Sequence, residues 1–338
     1  MELSGLGLAP WFKDRAAELA EPEYGLARVT VVDRGQYTVR NACGELAAKA
    51  TGKFMYAVKS TAEMPCVGDW VMVEQHDLDD CASIHGMLPR RSFLRRKTAG
   101  KSVEFQMIAA NIDVAFILQS CHYDFNVSRL ERYLVMAKEG NVEPLIILTK
   151  TDLVSASELE RLISEIRDIG IHTGIIAISN LTGEGLDRVK EAMEPGKTYC
   201  LVGSSGVGKS TIINKLTGEN CLRTGEVSDS GEGRHTTVRR QLFLLEGGAM
   251  LIDTPGMREV GILHASEGLD ENFDDIQELA LNCHFSNCSH GNEPRCAVLK
   301  AIEEGKLLQE HLQDYLKLKE ESEINEKSYA NKRKKGRG

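Results

Sequence analysis

Gly203-Ser204-Ser205-Gly206-Val207-Gly208-Lys209-Ser210 follows the apolar run Tyr199-Cys200-Leu201-Val202 and leads through Thr211 into a helical segment ending near Leu216. Those residue types at that spacing wrap a backbone around phosphates. Glycines permit the tight turn, and amides at a helix N-terminus point at negative charge. Lys209 is expected to bridge the β- and γ-phosphates, and the Ser210 hydroxyl to bind Mg²⁺. The flanking strand and helix make Gly203 to Thr211 a strong candidate phosphate site.

About 45 residues further on, Asp253-Thr254-Pro255-Gly256 follows the apolar Met250-Leu251-Ile252. An aspartate at a strand's C-terminal end suits the Mg²⁺ shell, and the Gly256 amide suits the γ-phosphate. Between these motifs lies the polar stretch Gly231 to Thr237. It reads as a first switch loop, with Thr236 or Thr237 completing the Mg²⁺ shell. Met257 follows Gly256, and a thioether cannot orient a water. His235 is the candidate group for that task, since a neutral imidazole can hydrogen-bond an attacking water.

Thr149-Lys150-Thr151-Asp152 closes the apolar run Leu145 to Leu148. Asp152 can accept hydrogen bonds from guanine N1–H and its 2-amino group, and Lys150 can lay its stem along the base. Asn is the usual first residue of this element; the Thr149 hydroxyl replaces only part of an amide's bonding. Ser179-Asn180, after the strand-like Ile175 to Ile178, supplies a second base-side loop. Together they favour GTP over ATP. The base-reading element precedes the phosphate loop, the reverse of the ordinary order, which indicates a circularly permuted topology.

Cys283, Cys288, His290 and Cys296 offer three thiolates and one imidazole within 14 residues. That count suits one closed, tetrahedral, structural Zn²⁺ site. His284 ranks lower as a ligand because it adjoins Cys283. The other cysteines are scattered, a reducing-compartment pattern rather than a disulfide framework.

The elements that position these groups fall into four stretches. Residues 1–24 read as an extension with a short amphipathic piece around Trp11 to Leu19. Residues 25–97 show short alternating segments (Ala27 to Val32, Tyr37 to Arg40, Lys53 to Val58, Asp69 to Val73) punctuated by glycines, which predicts a small five-stranded barrel of OB or SH3-like type. Residues 98–264 alternate strands and helices, which predicts a largely parallel α/β sheet covered on both faces. Two capping boxes, Ser128 to Glu131 and Ser155 to Glu158, open helices there. Residues 265–338 turn helical, carry the Cys/His cluster, and end in an amphipathic helix (Leu307, Leu308, Leu312, Tyr315, Leu316) and a last dozen residues expected to be disordered.

At 338 residues and 42% hydrophobic content, the chain can build several cores. No apolar run is long enough to span a membrane and no secretory signal is evident, so a cytoplasmic monomer is the expectation. Net charge is −9, yet Arg90, Arg91, Arg95, Arg96, Lys97 and Lys101 form one basic stretch, and Lys327, Lys332, Arg333, Lys334, Lys335 and Arg337 another. Two such clusters in an acidic chain point toward an RNA-rich partner.

Taken together, these residues resemble the RsgA (YjeQ) family of circularly permuted GTPases. The resemblance rests on the motif order, Gly233-Arg234-His235-Thr236-Thr237, Asp253 to Gly256, Cys288-Ser289-His290 with Glu293-Pro294 and Cys296-Ala297-Val298, and on Arg91-Ser92-x-Leu94-x-Arg96 and Arg132-Tyr133-Leu134. It implies an N-terminal OB-fold, a permuted GTPase domain and a C-terminal zinc domain. It further implies GTP hydrolysis stimulated by the small (30S) ribosomal subunit late in its assembly, contacts to rRNA, and His235 as the catalytic histidine beside Lys209. Thr149 departs from the family's commoner Asn, and Arg295 stands where a glycine is usual.

Overall fold

The computed structural model describes residues 2–19, 24–33, 35–76, 81–97, 105–122, 124–218, 240–254 and 273–335, the last 11 of these by backbone alone. The barrel is built from β1 (Gly25–Asp33), β2 (Gln36–Arg40), β3 (Glu45–Ala50), β4 (Trp70–His76) and β5 (Cys81–Met87). Its strand order is β1-β2-β3-β5-β4, closed by a β1–β4 pairing, with β3 and β5 parallel and the rest antiparallel. That order is an OB-type barrel. Inward positions such as Val29, Val39, Leu46, Ala48, Val71 and Ile84 fill it.

Lys53 to Val58, expected as a strand, is the short helix α2 (Gly52–Ala57) instead. Thr51 caps it by accepting from the Phe54 amide at 3.2 Å, a cap that wins over a weak alternation. The strands that alternation failed to show are the alanine-rich β3 and the glycine-bearing β5, whose small residues mute the contrast between faces.

The second body is a sheet of β10 (Ile175–Ala177), β9 (Glu143–Thr149), β8 (Val114–Ser120), β11 (Thr198–Gly203), β13 (Met250–Asp253) and β12 (Arg240–Leu244), in that spatial order. The first five run parallel and β12 is antiparallel. Along β8, Phe116 and Leu118 face one core while Ala115 and Ile117 face the other. Both faces are therefore covered, by α3 (Val127–Glu139), α4 (Ala156–Asp168), α5 (Leu186–Glu191) and α6 (Lys209–Thr217).

The two bodies share one sheet. β12 pairs with β1 of the barrel, matching Val31 to Gln241 and Val32 to Arg240. At the junction Arg28 is 1% exposed. Its guanidinium donates to the carbonyls of Leu6, Gly68 and Asn111 and to the Thr198 hydroxyl, joining extension, barrel and sheet. Burial holds its pKa down at about 10, Asp113 and Asp69 opposing. In the extension, α1 (Pro10–Leu19) and its lead-in place Phe12 and Leu6 against Trp70 and Leu88.

The four arginines of the first basic stretch are engaged within the chain, while the Lys97 side chain and Lys101 lie outside the described residues. Arg90 makes a bidentate pair with buried Asp69, both bonds at 2.8 Å. Arg91 pairs with Asp113, Arg95 with Glu139, and Arg96 with the Gln106 amide. These arginines tie the hairpin β6 (Phe93–Lys97) and β7 (Phe105–Ala110) and its lead-in to their surroundings. A run of basic residues shows charge but not direction: Arg90, Arg91 and Arg95 find partners in other segments, and Arg96 finds one across its own hairpin.

The C-terminal region contains α7 (Asp274–Ala280), α8 (Ala297–Glu303) and the long α9 (Gln309–Lys335). Phe273, Ile276, Val298, Ala301, Leu312, Tyr315 and Leu318 form its core together with Val135 of α3. Leu308, expected inward, is exposed. The backbone of α9 continues to Lys335, through residues expected to be disordered. Among the described residues no helix is long and apolar enough to cross a membrane.

Candidate active site and metal centre

The phosphate loop leaves the C-terminal end of β11, the strand between β8 and β13. Positive φ favours glycine at Gly203, Gly206 and Gly208, and at Gly203 backbone crowding adds to it. At Gly203 (φ +154) a Cβ would meet the Leu118 carbonyl oxygen at 2.7 Å, and at Gly208 (φ +104) the Asn180 amide nitrogen at 2.5 Å. Ser204, Val207 and Lys209 are buried; Ser205, Gly206, Gly208, Ser210 and Thr211 are partly exposed along the rim. Lys209 Nζ reaches back over the loop to the carbonyls of Gly203 (2.8 Å) and Ser204 (2.6 Å). An ammonium has three donors, so a phosphate oxygen can take the third. Burial lowers the Lys209 pKa to about 8, with Asp253 and Asp124 opposing.

Asp253 ends β13 with 2% exposure, and its Oδ2 has no hydrogen-bond partner among the described residues. Burial raises its pKa to about 6 against the pull of Lys209. A buried carboxylate oxygen left without a donor, beside a hydroxyl-bearing phosphate loop, fits the need of a divalent cation. The neighbouring Thr254 hydroxyl donates to the Leu201 carbonyl at 2.5 Å, tying the end of β13 to β11.

The base-side loops are cross-linked to the phosphate loop. Thr149 is fully buried, and its hydroxyl donates to the Val207 carbonyl at 2.8 Å. Asn180 Nδ2 donates to the Gly208 carbonyl at 3.3 Å. Lys150 adopts the left-handed region (φ +60), which turns the chain sharply out of β9. Ser179 donates to Asp152 Oδ1 at 2.5 Å while its hydroxyl oxygen accepts from the amides of Leu181 and Thr182. Asp152 is thereby aimed by a residue 27 positions away. His235, Thr236, Thr237 and Gly256 lie outside the described residues.

Cys283, Cys288, His290 and Cys296 converge, with their ligand atoms all within 4.8 Å of one another. Cys283 Sγ lies 3.7 Å from His290 Nδ1 and 3.8 Å from Cys296 Sγ, and His290 Nδ1 lies 3.4 Å from Cys296 Sγ. An ion bonded to sulfur and nitrogen at zinc distances sets tetrahedral edges of roughly 3.6 to 3.8 Å. The set therefore fits one tetrahedral ion. Amides of Ala297 and Leu299 donate to the sulfurs of Cys283 and Cys296 at 3.4 Å each. Desolvation alone would raise the Cys283 thiol; the amides of Ala297 and Val298 reverse it, and the net direction is downward. Burial lowers His290, favouring the neutral, ligating imidazole. His284 is not in the cluster; its ring packs edge-on against Phe285.

Motif reading missed Asp124. Its carboxylate accepts a hydrogen bond from the Ser204 hydroxyl in the phosphate loop. No spacing rule connects residues 80 positions apart.

A parallel sheet carrying a phosphate loop, a base loop and a metal-side aspartate in this chain order defines a circularly permuted P-loop GTPase. The family model described as RsgA GTPase matches residues 87–263. The chain is 42% identical to small ribosomal subunit biogenesis GTPase RsgA 2 of Lactiplantibacillus plantarum, over 88% of this chain and 83% of that protein. It is 37% identical to the protein of the same name from Vibrio vulnificus, over 98% and 91%. The crystal structure of YjeQ from Thermotoga maritima shares the fold with a TM-score of 0.63 at 24% identity, covering 87% of this chain and 97% of that one. This chain belongs to the RsgA GTPase family and is a GTP-hydrolysing P-loop enzyme.

Proposed function

We propose that this enzyme hydrolyses GTP to GDP and phosphate during late maturation of the small ribosomal subunit, and that the subunit itself accelerates turnover. The names of the relatives support the setting. The observation that carries the chemistry is the pair of cross-links, Thr149 to Val207 and Asn180 to Gly208, which hold the base and phosphate elements in one frame. In this reading Asp152, Lys150, Ser179 and Asn180 hold guanine, and Gly203 to Thr211 with Gly256 hold the phosphates. Ser210, Asp253 and Thr236 or Thr237 hold Mg²⁺, which supplies charge neutralisation when bound. Lys209 stabilises charge on the β–γ bridge, and His235 accepts a hydrogen bond from the attacking water. The water oxygen bonds to the γ-phosphorus as the bond to GDP breaks.

The Cys/His cluster holds one structural zinc ion in this reading, and the protein acts as a cytoplasmic monomer. The working division is 25–97 for the barrel, 98–264 for the GTPase and 265–338 for the zinc-bearing region. Ribosomal RNA meets the barrel near α2, where Tyr56 is 94% exposed and Lys53 and Lys59 are exposed nearby. An exposed ring flanked by cations suits base stacking and phosphate contact. The decisive experiment is GTP hydrolysis with and without isolated small subunits. Stimulation by at least tenfold is expected on the order-of-magnitude scale of activated GTPases; no stimulation overturns the setting. His235→Ala should retain GTP binding and lose the stimulated rate.

A further inference from the structure

Between β8 and α3, Asp124 is held from several sides and bonds to the phosphate loop. Gln119, 1% exposed at the end of β8, donates through Nε2 to the carbonyls of Asp124 (3.1 Å) and Asn126 (3.2 Å). From the helix side, Arg129 Nη1 donates to Asp124 Oδ1 at 2.9 Å and Nη2 to the Asp124 carbonyl. The remaining carboxylate oxygen, Oδ2, accepts from the Ser204 hydroxyl. The carbonyl of that same serine accepts from Lys209 Nζ at 2.6 Å. A continuous series of polar contacts thus runs Arg129, Asp124, Ser204, Lys209. The Asp124 charge also acts on the lysine directly, favouring its ammonium form.

Helix α3, from which Arg129 projects, is gripped by the C-terminal helix. Ser128 donates to Asp314, Glu131 meets His311, and Arg132 Nη1 meets Glu321 at 2.7 Å. The position of α3 is therefore shared between the sheet that its apolar face covers and the C-terminal helix that holds its polar face. No base or phosphate contact in the reading above requires an aspartate at position 124.

We infer that Asp124 is a positioning residue for Lys209, fixing the Ser204 carbonyl that aims the ammonium and referring its place to α3. The inference rests on Gly203 to Thr211 being the phosphate loop. A lysine held by two carbonyls keeps one donor on a fixed line, and slack in one carbonyl lets that donor wander. Binding tolerates the slack better than the transition state does, because charge on the β–γ bridge grows only during bond cleavage.

The test is steady-state GTP hydrolysis by full-length Asp124→Ala, Ser204→Ala, the double variant and Asp124→Asn, with Lys209→Ala alongside. Each alanine variant is expected to lower kcat about tenfold with KM changed less than about twofold, and the double variant to lose about the same tenfold rather than a hundredfold. Asp124→Asn, whose amide oxygen still accepts from Ser204, should recover most of the rate, which a general loss of folding would not predict. Unchanged kcat in Asp124→Ala, or single effects that multiply in the double variant, overturns the inference. Retention of hydrolysis by Lys209→Ala overturns the phosphate-loop reading instead, so the two failures are distinguishable.

Discussion

His311 Nδ1 lies 2.7 Å from Glu131 Oε1, with both side chains almost completely buried between α9 and α3. The other ring nitrogen meets Asp275 Oδ1 of α7 at 3.2 Å, Phe273 stacks on the ring at 4.8 Å, and Asp314 acts on Glu131 from the next turn of α9. Burial alone would favour the neutral ring. The hydrogen bonds to Asp275 and Glu131 and their charges outweigh it, and the pKa rises from 6.5 to about 9. A raised histidine stabilises the fold fully below about pH 6.5, and that contribution is lost as pH rises through about 9. The wild type should therefore exceed His311→Gln in stability by roughly 1 to 3 kcal/mol near pH 6.5, the gap closing by pH 9.5. Thermal unfolding of both proteins across that range measures it; parallel curves would exclude the imidazolium clamp.

Those contacts also show what was legible in the chain. Of the second box, Ser155 caps α4 as expected by accepting from the Glu158 amide, while the Glu158 carboxylate pairs with Arg161. The first does not cap its helix. Asn126, two residues upstream, caps α3, and the box residues Ser128 and Glu131 are engaged instead by Asp314 and His311 of α9. A local pattern cannot announce a partner 180 residues away. The same limit hid Asp124 and the destinations of Arg90, Arg91 and Arg95. By contrast, the phosphate-loop, base-loop and Cys/His patterns follow ligand chemistry at short spacing, so they stand out in the chain as candidates, and the Cys/His set does converge in space. The largely parallel, doubly covered sheet could be read too, because Val114 to Leu118, Ile146 to Leu148 and Tyr199 to Val202 are buried apolar runs.

Thr149 supplies a tether through its hydroxyl, which joins the base loop to the phosphate loop by the Val207 carbonyl. Thr149→Val keeps the volume and removes the donor, leaving a buried carbonyl short of a partner, at a cost of about 1 to 2 kcal/mol. GDP affinity should fall about five- to thirtyfold on that scale. Thr149→Asn, which restores an amide donor, should bind at least as tightly as the wild type. Fluorescent-GDP titration reads both; full affinity in Thr149→Val would show that the tether is dispensable.

Arg295 occupies the left-handed region at φ +61, just before the ligand Cys296, and its side chain is exposed. An L-residue there is strained by roughly 1 kcal/mol relative to glycine. Arg295→Gly should therefore stabilise the loop by about 0.5 to 1 kcal/mol and slow metal loss to a chelator. A faster loss than in the wild type would mean that the arginine side chain itself holds the loop.

Cys296 joins the metal cluster to the packed helices. Its sulfur is one of the four atoms that could hold the ion, and it also caps α8 by accepting from the Leu299 amide at 3.4 Å. The helix it caps places Val298 and Ala301 in the core that includes Val135 of α3. Losing the ion should therefore release the 283–296 loop, uncap α8 and loosen the seat of α9 against α3. Purified protein should contain one zinc per chain, and chelation or Cys296→Ser should speed amide exchange across residues 297–324 at least tenfold. The phosphate and base loops lie in a different core, so GDP affinity should stay within about threefold, the scale of an indirect effect. Unchanged exchange after the metal is removed would separate the cluster from the helix packing and reduce it to a local staple.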